Sequence, residues 1–302
     1  MIYIIFVLFF ALLLYLGNAA LSIFIGILFT LLLKPEKYFI SIKVGTIPLQ
    51  IGIVILGATI SLPYAWSVSS SYLPWISLFV IASFFTGLIL GKILGIHHRI
   101  AFLLSAGAAI CGGTAMAAIA PIIKAKPQEL LVAMTIIFLL NALAIIFFPL
   151  IGNHLEMTNF QFGAWSALAI HDTSSVIGSA LTYSDESSQV AATLKLGRTI
   201  WIIPLILITN WIFNRQAAAT KFPRFIIFFI LAIVLNTLIG FEDQSLAIIK
   251  VASQSFLILG LFCIGTQFNV HELNAISGKP LMLASMLWLM VIPAAYWLVI
   301  NL

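Results

Sequence analysis

The sequence predicts an all-α polytopic membrane protein, and three observations lead to that fold class. Of the 302 residues, 63% are hydrophobic and only 8% are Asp, Glu, Lys or Arg, whereas a soluble domain has about 45–50% and about 25%. The mean hydropathy is +1.19. Apolar runs of roughly 20 residues, the length that spans a bilayer core, recur along the whole chain. These values exclude a water-soluble globular protein.

The charge and the cysteine content limit which partners and cofactors are expected. The 14 Lys and Arg residues, within a net charge of +5, are scattered between apolar segments, so nucleic acid is not an expected partner. Cys111 and Cys263 lie in apolar segments without Cys-x-x-Cys spacing, which indicates neither a disulfide framework nor a zinc site. The expected partners are the lipid bilayer and a small solute. No metal or organic cofactor is expected, and a homodimer is left open.

Apolar runs bounded by Gly, Pro or charged residues predict about eleven helices. They cover residues 2–16, 19–33, 46–66, 72–96, 100–124, 127–150, 163–182, 187–214, 223–240, 246–276 and 279–301. Residues 1–18 are set aside as an additional span, since 2–33 forms either a hairpin or one tilted helix. The regions 19–150 and 163–302 then form two five-helix sets. Because five is odd, the sets have opposite orientation, as in the inverted repeats of many secondary transporters.

The distribution of basic residues predicts the orientation of the chain. A cytoplasmic N-terminus places these basic residues on the inner side: Lys34, Lys37, Lys43, Lys92, Arg99, Arg215, Lys221, Arg224 and Lys279. It places only Lys124 and Lys126 on the outer side. We therefore expect the N-terminus in the cytoplasm, although the two outer lysines also fit a segment 100–124 that re-enters the membrane.

Two apolar segments contain residues that can interrupt a helix. Segment 100–124 carries Ala109-Ile110-Cys111-Gly112-Gly113-Thr114-Ala115-Met116, where paired glycines and a threonine let a helix stop and restart. Segment 246–276 carries Gly, Thr and amide residues over 260–269. Close packing through small residues is the alternative. Because both stretches hold the fourth place in their sets, we favour two broken helices beside a buried or hydrated cavity.

Four ionisable residues are predicted to meet near the middle of the membrane. His171 and Asp172 lie about 12 Å into their segment at 1.5 Å per residue. The next segment places Lys195 at the same depth and Arg198 one turn beyond. A charge at the bilayer centre costs roughly 2.5–3.5 kcal/mol. A purely structural salt bridge between Asp172 and one of the two cations is the alternative to a functional site, but it leaves the other cation without a counterion.

The excess positive charge favours an anion site with Arg198 and Lys195 as ligands. The expected lining residues are Cys111, Gly112, Gly113, Thr114, Thr173 and Ser174. Proton coupling is expected at His171 or Asp172, because histidine titrates near neutrality and burial favours a protonated carboxyl group. Sodium coupling is expected at carbonyl, hydroxyl and amide groups near Thr114, Thr266 and Gln267. No catalytic residue is expected.

Three motifs resemble a known family. They are Gly107-Ala108-Ala109-Ile110-Cys111-Gly112-Gly113-Thr114-Ala115 followed by Ala120-Pro121-Ile122-Ile123-Lys124-Ala125, Ala169-Ile170-His171-Asp172 through Val176, and Leu194-Lys195-Leu196-Gly197-Arg198. Over most of the chain the sequence resembles the YeiH-type sulfate exporter family of bacterial membrane proteins. That family usually has His-Glu in the middle motif. Here the pair is His171-Asp172, whose carboxylate is one methylene shorter, which affects ligand geometry more than proton chemistry.

The Cys-Gly-Gly-Thr-Ala run also looks like the broken helix of the bile acid:sodium symporter and cation-proton antiporter folds. This resemblance implies two inverted five-helix repeats, divided into panel and core subdomains, with broken helices that cross. The family resemblance implies a transporter of the bacterial plasma (inner) membrane whose substrate is a sulfate-class anion.

Three functions follow from these residues. The leading one is a secondary active transporter of a small anion, of the sulfate, sulfite or organosulfonate class, coupled to H⁺ or Na⁺ and working by alternating access. The second is a Na⁺/H⁺-type antiporter in which Asp172 binds the cation and Arg198 balances charge. The third is an intramembrane enzyme with Cys111 as nucleophile and His171 as base. The run of small residues around Cys111 disfavours it, so we expect no enzyme.

Overall fold

The computed structural model describes residues 2–17, 19–33, 40, 44, 46–213, 223–266 and 278–302, and the regular structure of these residues is helical. In chain order the helices are α1 (Ile2–Leu16), α2 (Ala19–Leu33), α3 (Ile47–Gly57), α4 (Leu62–Ile93), α5 (His98–Ala109), α6 (Gly113–Ile119), α7 (Pro127–His154), α8 (Asn159–Ala169), α9 (Thr173–Tyr183), α10 (Asp185–Thr199), α11 (Ile202–Ile212), α12 (Arg224–Ile239), α13 (Asp243–Gly265) and α14 (Gly278–Asn301).

The helices confirm an all-α polytopic membrane protein. Within the described ranges, five spans are long and apolar enough to cross a membrane: α4, α7, α10 continued by α11, α13 and α14. Shorter apolar helices, among them α1, α3 and α12, accompany them. Large side chains on these helices are exposed, including Leu207 at 64% and Leu238 at 77%. Such apolar surface suits contact with lipid chains rather than water.

One predicted boundary is wrong. Separate spans were expected over 46–66 and 72–96, but the chain turns earlier, at residues 58–61, and α4 then runs unbroken through Pro74. The turn is followed by Pro63 in the first turn of α4, where its missing N–H costs nothing. Within α4 the hydroxyl group of Ser77 donates to the Leu73 carbonyl at 2.8 Å. A serine can thus continue an apolar helix by bonding back to its own backbone.

The helix break predicted between Ala109 and Met116 is present. Helix α5 ends at Ala109 and α6 begins at Gly113. A second break, which the sequence did not predict, separates α8 from α9 at residues 170–172. It lies in the first span of the set 163–302 rather than the fourth. The two breaks therefore do not hold corresponding places, and the inverted repeat over 19–150 and 163–302 stays a prediction.

Within the stretch 260–269, where a break is predicted, α13 continues through Gly260 and ends at Gly265. Gly260 and Gly265 also serve helix packing. A side chain at Gly260 would overlap the backbone of Leu49 in α3, and one at Gly265 would overlap α2 at Ile23 and Gly26. Glycine lets the helices approach closely at these points. Residues 267–269 lie outside the described part of the chain.

The chain divides into two compact units. One unit contains α1, α2, α3, α12 and α13. Its core includes Leu13, Phe29, Ile258 and Phe262, and the rings of Phe29 and Phe262 meet edge to face at 5.9 Å. The other unit contains α5 to α8, α11 and α14 with most of α4, α9 and α10. All the groups that meet in the candidate site described below belong to this second unit, whereas Thr266 belongs to the first.

Candidate functional site

The first break depends on one glycine. Gly112 has φ +60° and ψ −124°, a conformation that residues with a side chain rarely adopt. Its N–H donates to the Gly107 carbonyl at 2.8 Å, and the Ile110 N–H donates to the Ala106 carbonyl at 3.1 Å. These bonds close the end of α5 but leave the carbonyl groups of Ala108 and Ala109 without an intrahelical donor.

The second break depends on a capping carboxylate. After α8 the chain is extended at Ile170, with φ −91° and ψ 138°. Asp172 then caps α9, because its Oδ2 accepts hydrogen bonds from the Ser175 N–H and hydroxyl, both at 3.1 Å. A carboxylate at this position satisfies a free N–H of the first turn and lies at the positive end of the helix dipole.

The two breaks lie against each other. A Cβ built on Gly112 would be 3.3 Å from the Cβ and 3.4 Å from the Cα of Asp172, and 3.4 Å from Ile137 in α7. The absence of a side chain at residue 112 therefore brings the backbone of the first break next to the capping residue of the second.

Arg198 joins the two broken helices at their carbonyl ends. Its Nε donates to Ala109 O at 2.7 Å and its Nη2 to Ala108 O at 2.6 Å, both at the end of α5. Its Nη1 donates to Leu168 O at 2.7 Å and Ala167 O at 3.1 Å, both at the end of α8. The guanidinium group is fully buried. A cation here also compensates the negative ends of both helix dipoles.

Lys195 and Trp288 complete the end of α8. The Lys195 ammonium group, one turn before Arg198 in α10, donates to Ile170 O at 2.7 Å. The indole N–H of Trp288 in α14 donates to Ala169 O at 3.1 Å. A helix normally leaves its last four carbonyl groups unpaired. Here side chains from two other helices satisfy the carbonyl groups of all four residues from 167 to 170.

No ion pair connects Asp172 with Lys195 or Arg198 in the described part of the chain, where the salt bridges join Glu129 to Arg99 and His97. The structural alternative from the sequence is therefore not what holds these residues. With Asp172 ionised and His171 neutral, the charges of Lys195, Arg198 and Asp172 add up to +1. The two carbonyl ends and the two amide ends at the breaks contribute partial charges that roughly cancel.

His171 and Asn141 meet through a hydrogen bond and are both buried in the site. The Asn141 Oδ1 in α7 accepts a hydrogen bond from the His171 backbone N–H at 3.2 Å. The imidazole ring is fully buried, with its centroid 6.3 Å from that of Trp288. Neither ring nitrogen of His171, nor the Asn141 Nδ2, has a hydrogen-bond partner among the described residues. Unpaired buried polar atoms are uncommon and call for a ligand, a water or a chemical role.

The remaining predicted lining residues differ in exposure. Cys111 is a buried free thiol within the first break, and Ser174 is buried beside Asp172, to which it hydrogen-bonds. Thr173 is half-buried. Thr114 is exposed on α6, and Gly113 lies against Phe138 of α7. The structure thus brings Cys111, Gly112 and Ser174 to the meeting point of the breaks, whereas Thr114 faces outward.

The residues predicted at the other end of the chain are not part of this constellation. Thr266 belongs to the unit with α13, where its hydroxyl group donates to Cys263 O and its carbonyl accepts from Thr30 Oγ1, both at 2.8 Å. Gln267 lies outside the described residues. No group of three or more His, Cys, Asp and Glu residues suited to hold a metal ion occurs in the described ranges.

The sequence analysis did not include three participants. Asn141 and Trp288 stand in apolar helices, and Ser175 follows the His-Asp pair as the capping partner of Asp172. An amide in the middle of a run such as Leu140-Asn141-Ala142 is the signal that could have identified the first. The carbonyl groups at the breaks carry no sequence signal.

The fold and this site define a class: a polytopic membrane protein in which two broken helices meet around buried cations. The chain belongs to the conserved hypothetical protein 698 family, which it matches over residues 3–284.

Its relatives are membrane proteins by name. A UPF0324 membrane protein of Bacteroides thetaiotaomicron is 38% identical over 272 residues, which cover 89% of this chain and 82% of the relative. One from Vibrio vulnificus is 37% identical over 84% and 83% of the two chains. One from Porphyromonas gingivalis is 40% identical over 71% and 67%. No solved structure matches the chain.

Proposed function

We propose that this protein is a secondary active transporter of a small anion of the sulfate, sulfite or organosulfonate class. The observation that carries the proposal is the net positive charge at the two breaks. Lys195 and Arg198 are both fully buried, and one carboxylate accompanies them. Charges inside a membrane protein are costly and mark transport pathways. Helix breaks at membrane depth line cavities for substrates in transporters.

Arg198 provides a fixed positive charge, while other groups form the hydrogen bonds that the substrate makes and breaks. Arg198 donates four hydrogen bonds to backbone carbonyls. It therefore attracts the substrate by its charge rather than by direct hydrogen bonds. Lys195 uses one of its three N–H groups on Ile170. Two N–H groups therefore remain on Lys195 for an anion.

The coupling of anion transport to an ion follows from the summed charges of Lys195, Arg198 and Asp172. When Asp172 is ionised the site charge is +1, which one monovalent anion balances; when it is protonated the charge is +2, which suits a divalent anion. Asp172 is half-buried, so a proton can reach it more readily than His171. We propose H⁺ as the coupling ion, with Na⁺ bound near Thr114 or Thr266 and Gln267 as the alternative. No catalytic or cofactor chemistry is part of the proposal.

The setting is the bacterial plasma (inner) membrane, with a cytoplasmic N-terminus and a multi-pass chain, in which the helices rearrange by alternating access. The excess of basic residues on one side of the predicted spans supports this orientation. The membrane location of the relatives supports the setting. A homodimer is compatible with it, since apolar faces such as that of α12 can meet lipid or a second copy.

Proteoliposome uptake tests the proposal. The purified full-length protein is reconstituted, and uptake of labelled sulfate, sulfite and methanesulfonate is measured with and without an inward proton or sodium gradient. We expect uptake of at least one anion, stimulated by one gradient. Absence of uptake for all three anions under every gradient contradicts the proposal, whereas gradient-independent uptake contradicts only the coupling.

A second candidate, a Na⁺/H⁺-type antiporter, is favoured by one observation. Because Arg198 and Lys195 both bond to backbone carbonyls, their charge can serve the helix ends alone, which leaves Asp172 as the ion-binding group. The replacement Lys195→Gln separates the candidates, with the exposed Lys92→Gln as the matched control. Anion transport is expected to fall at least tenfold in Lys195→Gln, while Na⁺/H⁺ exchange, if it is the function, persists.

An intramembrane enzyme is the remaining alternative. A thiol nucleophile at Cys111 needs a general base within hydrogen-bond reach. The nitrogen atoms of His171 have no partner among the described residues, the thiol included. The variant Cys111→Ser is expected to keep wild-type transport, and its complete inactivity would revive the enzyme hypothesis.

A further inference from the structure

The amide group of Asn141 has a hydrogen-bonded oxygen and an NH₂ group without a partner. Its Oδ1 accepts from the His171 backbone N–H at 3.2 Å. Because that partner is a donor, it fixes which end of the amide is oxygen. The NH₂ group is left facing elsewhere, and it has no partner among the described residues. The side chain is nevertheless buried, with 2% of its surface exposed.

The imidazole ring of His171 adds a second unpaired group next to the amide. It is completely buried, and neither nitrogen meets an acceptor or donor in the described part of the chain. Burying an NH₂ group and an imidazole without partners costs free energy. The peptide group between Ile170 and His171 is held at both of its polar atoms, since its N–H donates to Asn141 and its carbonyl accepts from Lys195.

We propose that the Asn141 NH₂ group and a ring N–H of His171 bind the oxygen atoms of the transported oxyanion. This inference rests on the proposed function and names the groups that recognise the substrate. It assigns Asn141 a direct contact, Lys195 the charge beside it, and Arg198 a positioning role at the helix ends.

The chemistry of the two groups selects an oxyanion over a cation. A hard cation such as Na⁺ or Ca²⁺ is bound by oxygen ligands, and the one side-chain oxygen of Asn141 is already engaged. Donor groups close to two buried cations attract the opposite class of ligand. Charge-assisted bonds from N–H groups to anionic oxygens are also stronger than bonds to water.

The replacement Asn141→Asp tests the contact with little change in shape. An aspartate keeps an oxygen for the His171 backbone N–H, but it offers no N–H₂ group to the anion. Asn210 in α11 is also a buried amide, so Asn210→Asp is the matched control for the same chemical change elsewhere in the membrane. His171→Phe removes the ring N–H while keeping a planar ring and the backbone bond to Asn141.

Sulfate and methanesulfonate binding is measured by calorimetry on each purified full-length variant, with uptake in proteoliposomes as the second readout. We expect affinity to fall about tenfold or more in Asn141→Asp and in His171→Phe, the factor that corresponds to one hydrogen bond to a charged group. Asn210→Asp is expected to stay within about threefold of the wild type. Should Asn141→Asp fail to fold, as judged by its melting temperature, His171→Phe decides the result.

The outcomes separate this inference from the function on which it rests. If the wild-type protein neither binds nor transports any of these anions, the proposed function fails. If the wild type binds sulfate and the folded Asn141 and His171 variants bind it equally well, the proposed contact fails and the function stands. An equal loss of affinity in Asn210→Asp also contradicts the proposed contact, because it would show that a buried negative charge at either position weakens anion binding.

Discussion

The Nε of Arg198 donates to the carbonyl oxygen of Ala109 at 2.7 Å, across 89 residues of sequence. The same guanidinium group reaches the carbonyl end of α8 through Nη1. One side chain from α10 therefore connects the ends of two helices by hydrogen bonds, at the points where both helices are interrupted. Without it, carbonyl groups would remain unpaired in the interior of a membrane protein, where no water replaces the lost donor.

Replacing Arg198 tests how much these hydrogen bonds stabilise the protein. Arg198→Gln leaves at least two of the four carbonyl groups without a donor, because the glutamine NH₂ group has only two N–H groups, and each unpaired carbonyl group costs about 1–3 kcal/mol. We expect a loss of roughly 2 kcal/mol or more in stability, measured as a fall in the melting temperature of the detergent-purified protein. Arg99→Gln is the control, because that arginine pairs with Glu129 at 3.0 Å on a partly exposed surface, where such pairs contribute about 0–1 kcal/mol. Equal effects of the two variants would contradict the assigned role.

Trp288 offers a milder test of the same helix end. Trp288→Phe keeps an aromatic ring beside Phe148, whose centroid is 6.0 Å away, but removes the N–H that satisfies Ala169 O. We expect a loss of about 1–3 kcal/mol. Trp297→Phe, on the same helix but 66% exposed, should change stability by less than about 0.5 kcal/mol. Urea unfolding in a constant detergent mixture measures both, and a neutral Trp288→Phe would show that Ala169 does not need this donor.

Gly112 is expected to tolerate no side chain. Gly112→Ala places a methyl group in a conformation that costs about 1–3 kcal/mol and within 3.3 Å of Asp172, so we expect lower stability and lower transport. Gly197→Ala is the matched control: it lies in helix α10 with nothing within 4 Å of a new Cβ, and alanine favours a helix by up to about 1 kcal/mol over glycine. If the two variants have the same melting temperature, the backbone at residue 112 is not under this constraint.

Asp172→Asn separates capping from charge. Asparagine caps a helix about as well as aspartate, so α9 should form and the melting temperature should change little. The site charge becomes +2 at every pH, as when Asp172 is protonated. Sulfate uptake should therefore lose its dependence on an inward proton gradient while binding persists. Asp172→Ala, which removes the cap as well, should in addition lose about 1 kcal/mol of stability. A gradient dependence unchanged in Asp172→Asn would assign coupling to another group.

The sequence predicted the first break and did not predict the break at residues 170–172, for physical reasons. Adjacent Gly112 and Gly113 mark the first break because glycine alone can adopt its backbone conformation. The second break, at residues 170–172, contains neither Gly nor Pro. It is stabilised by the Asp172 cap and by donors on Lys195, Arg198 and Trp288, which come from other helices and leave no local pattern.

Gly260 and Gly265 lie in the other stretch where a break is predicted. The helix α13 continues through Gly260 and ends at Gly265, and both glycines also allow close contact, with Leu49 of α3 and Gly26 of α2. A glycine in an apolar run permits both a break and a close approach, and the neighbouring helix decides between them. Position in the chain could not resolve this, since the neighbour is set by tertiary packing.

The sequence by itself determined that the chain is an all-α membrane protein, and it predicts that His171, Asp172, Lys195 and Arg198 lie at similar depth, because hydropathy and helical rise are sums over local residues. Only the tertiary structure decided what the two cations touch. A broken helix leaves carbonyl groups whose partners come from wherever a donor lies in space, and no local pattern identifies that donor. The pairing of Arg198 with α5 and α8, and the unpaired NH₂ group of Asn141, follow from packing alone.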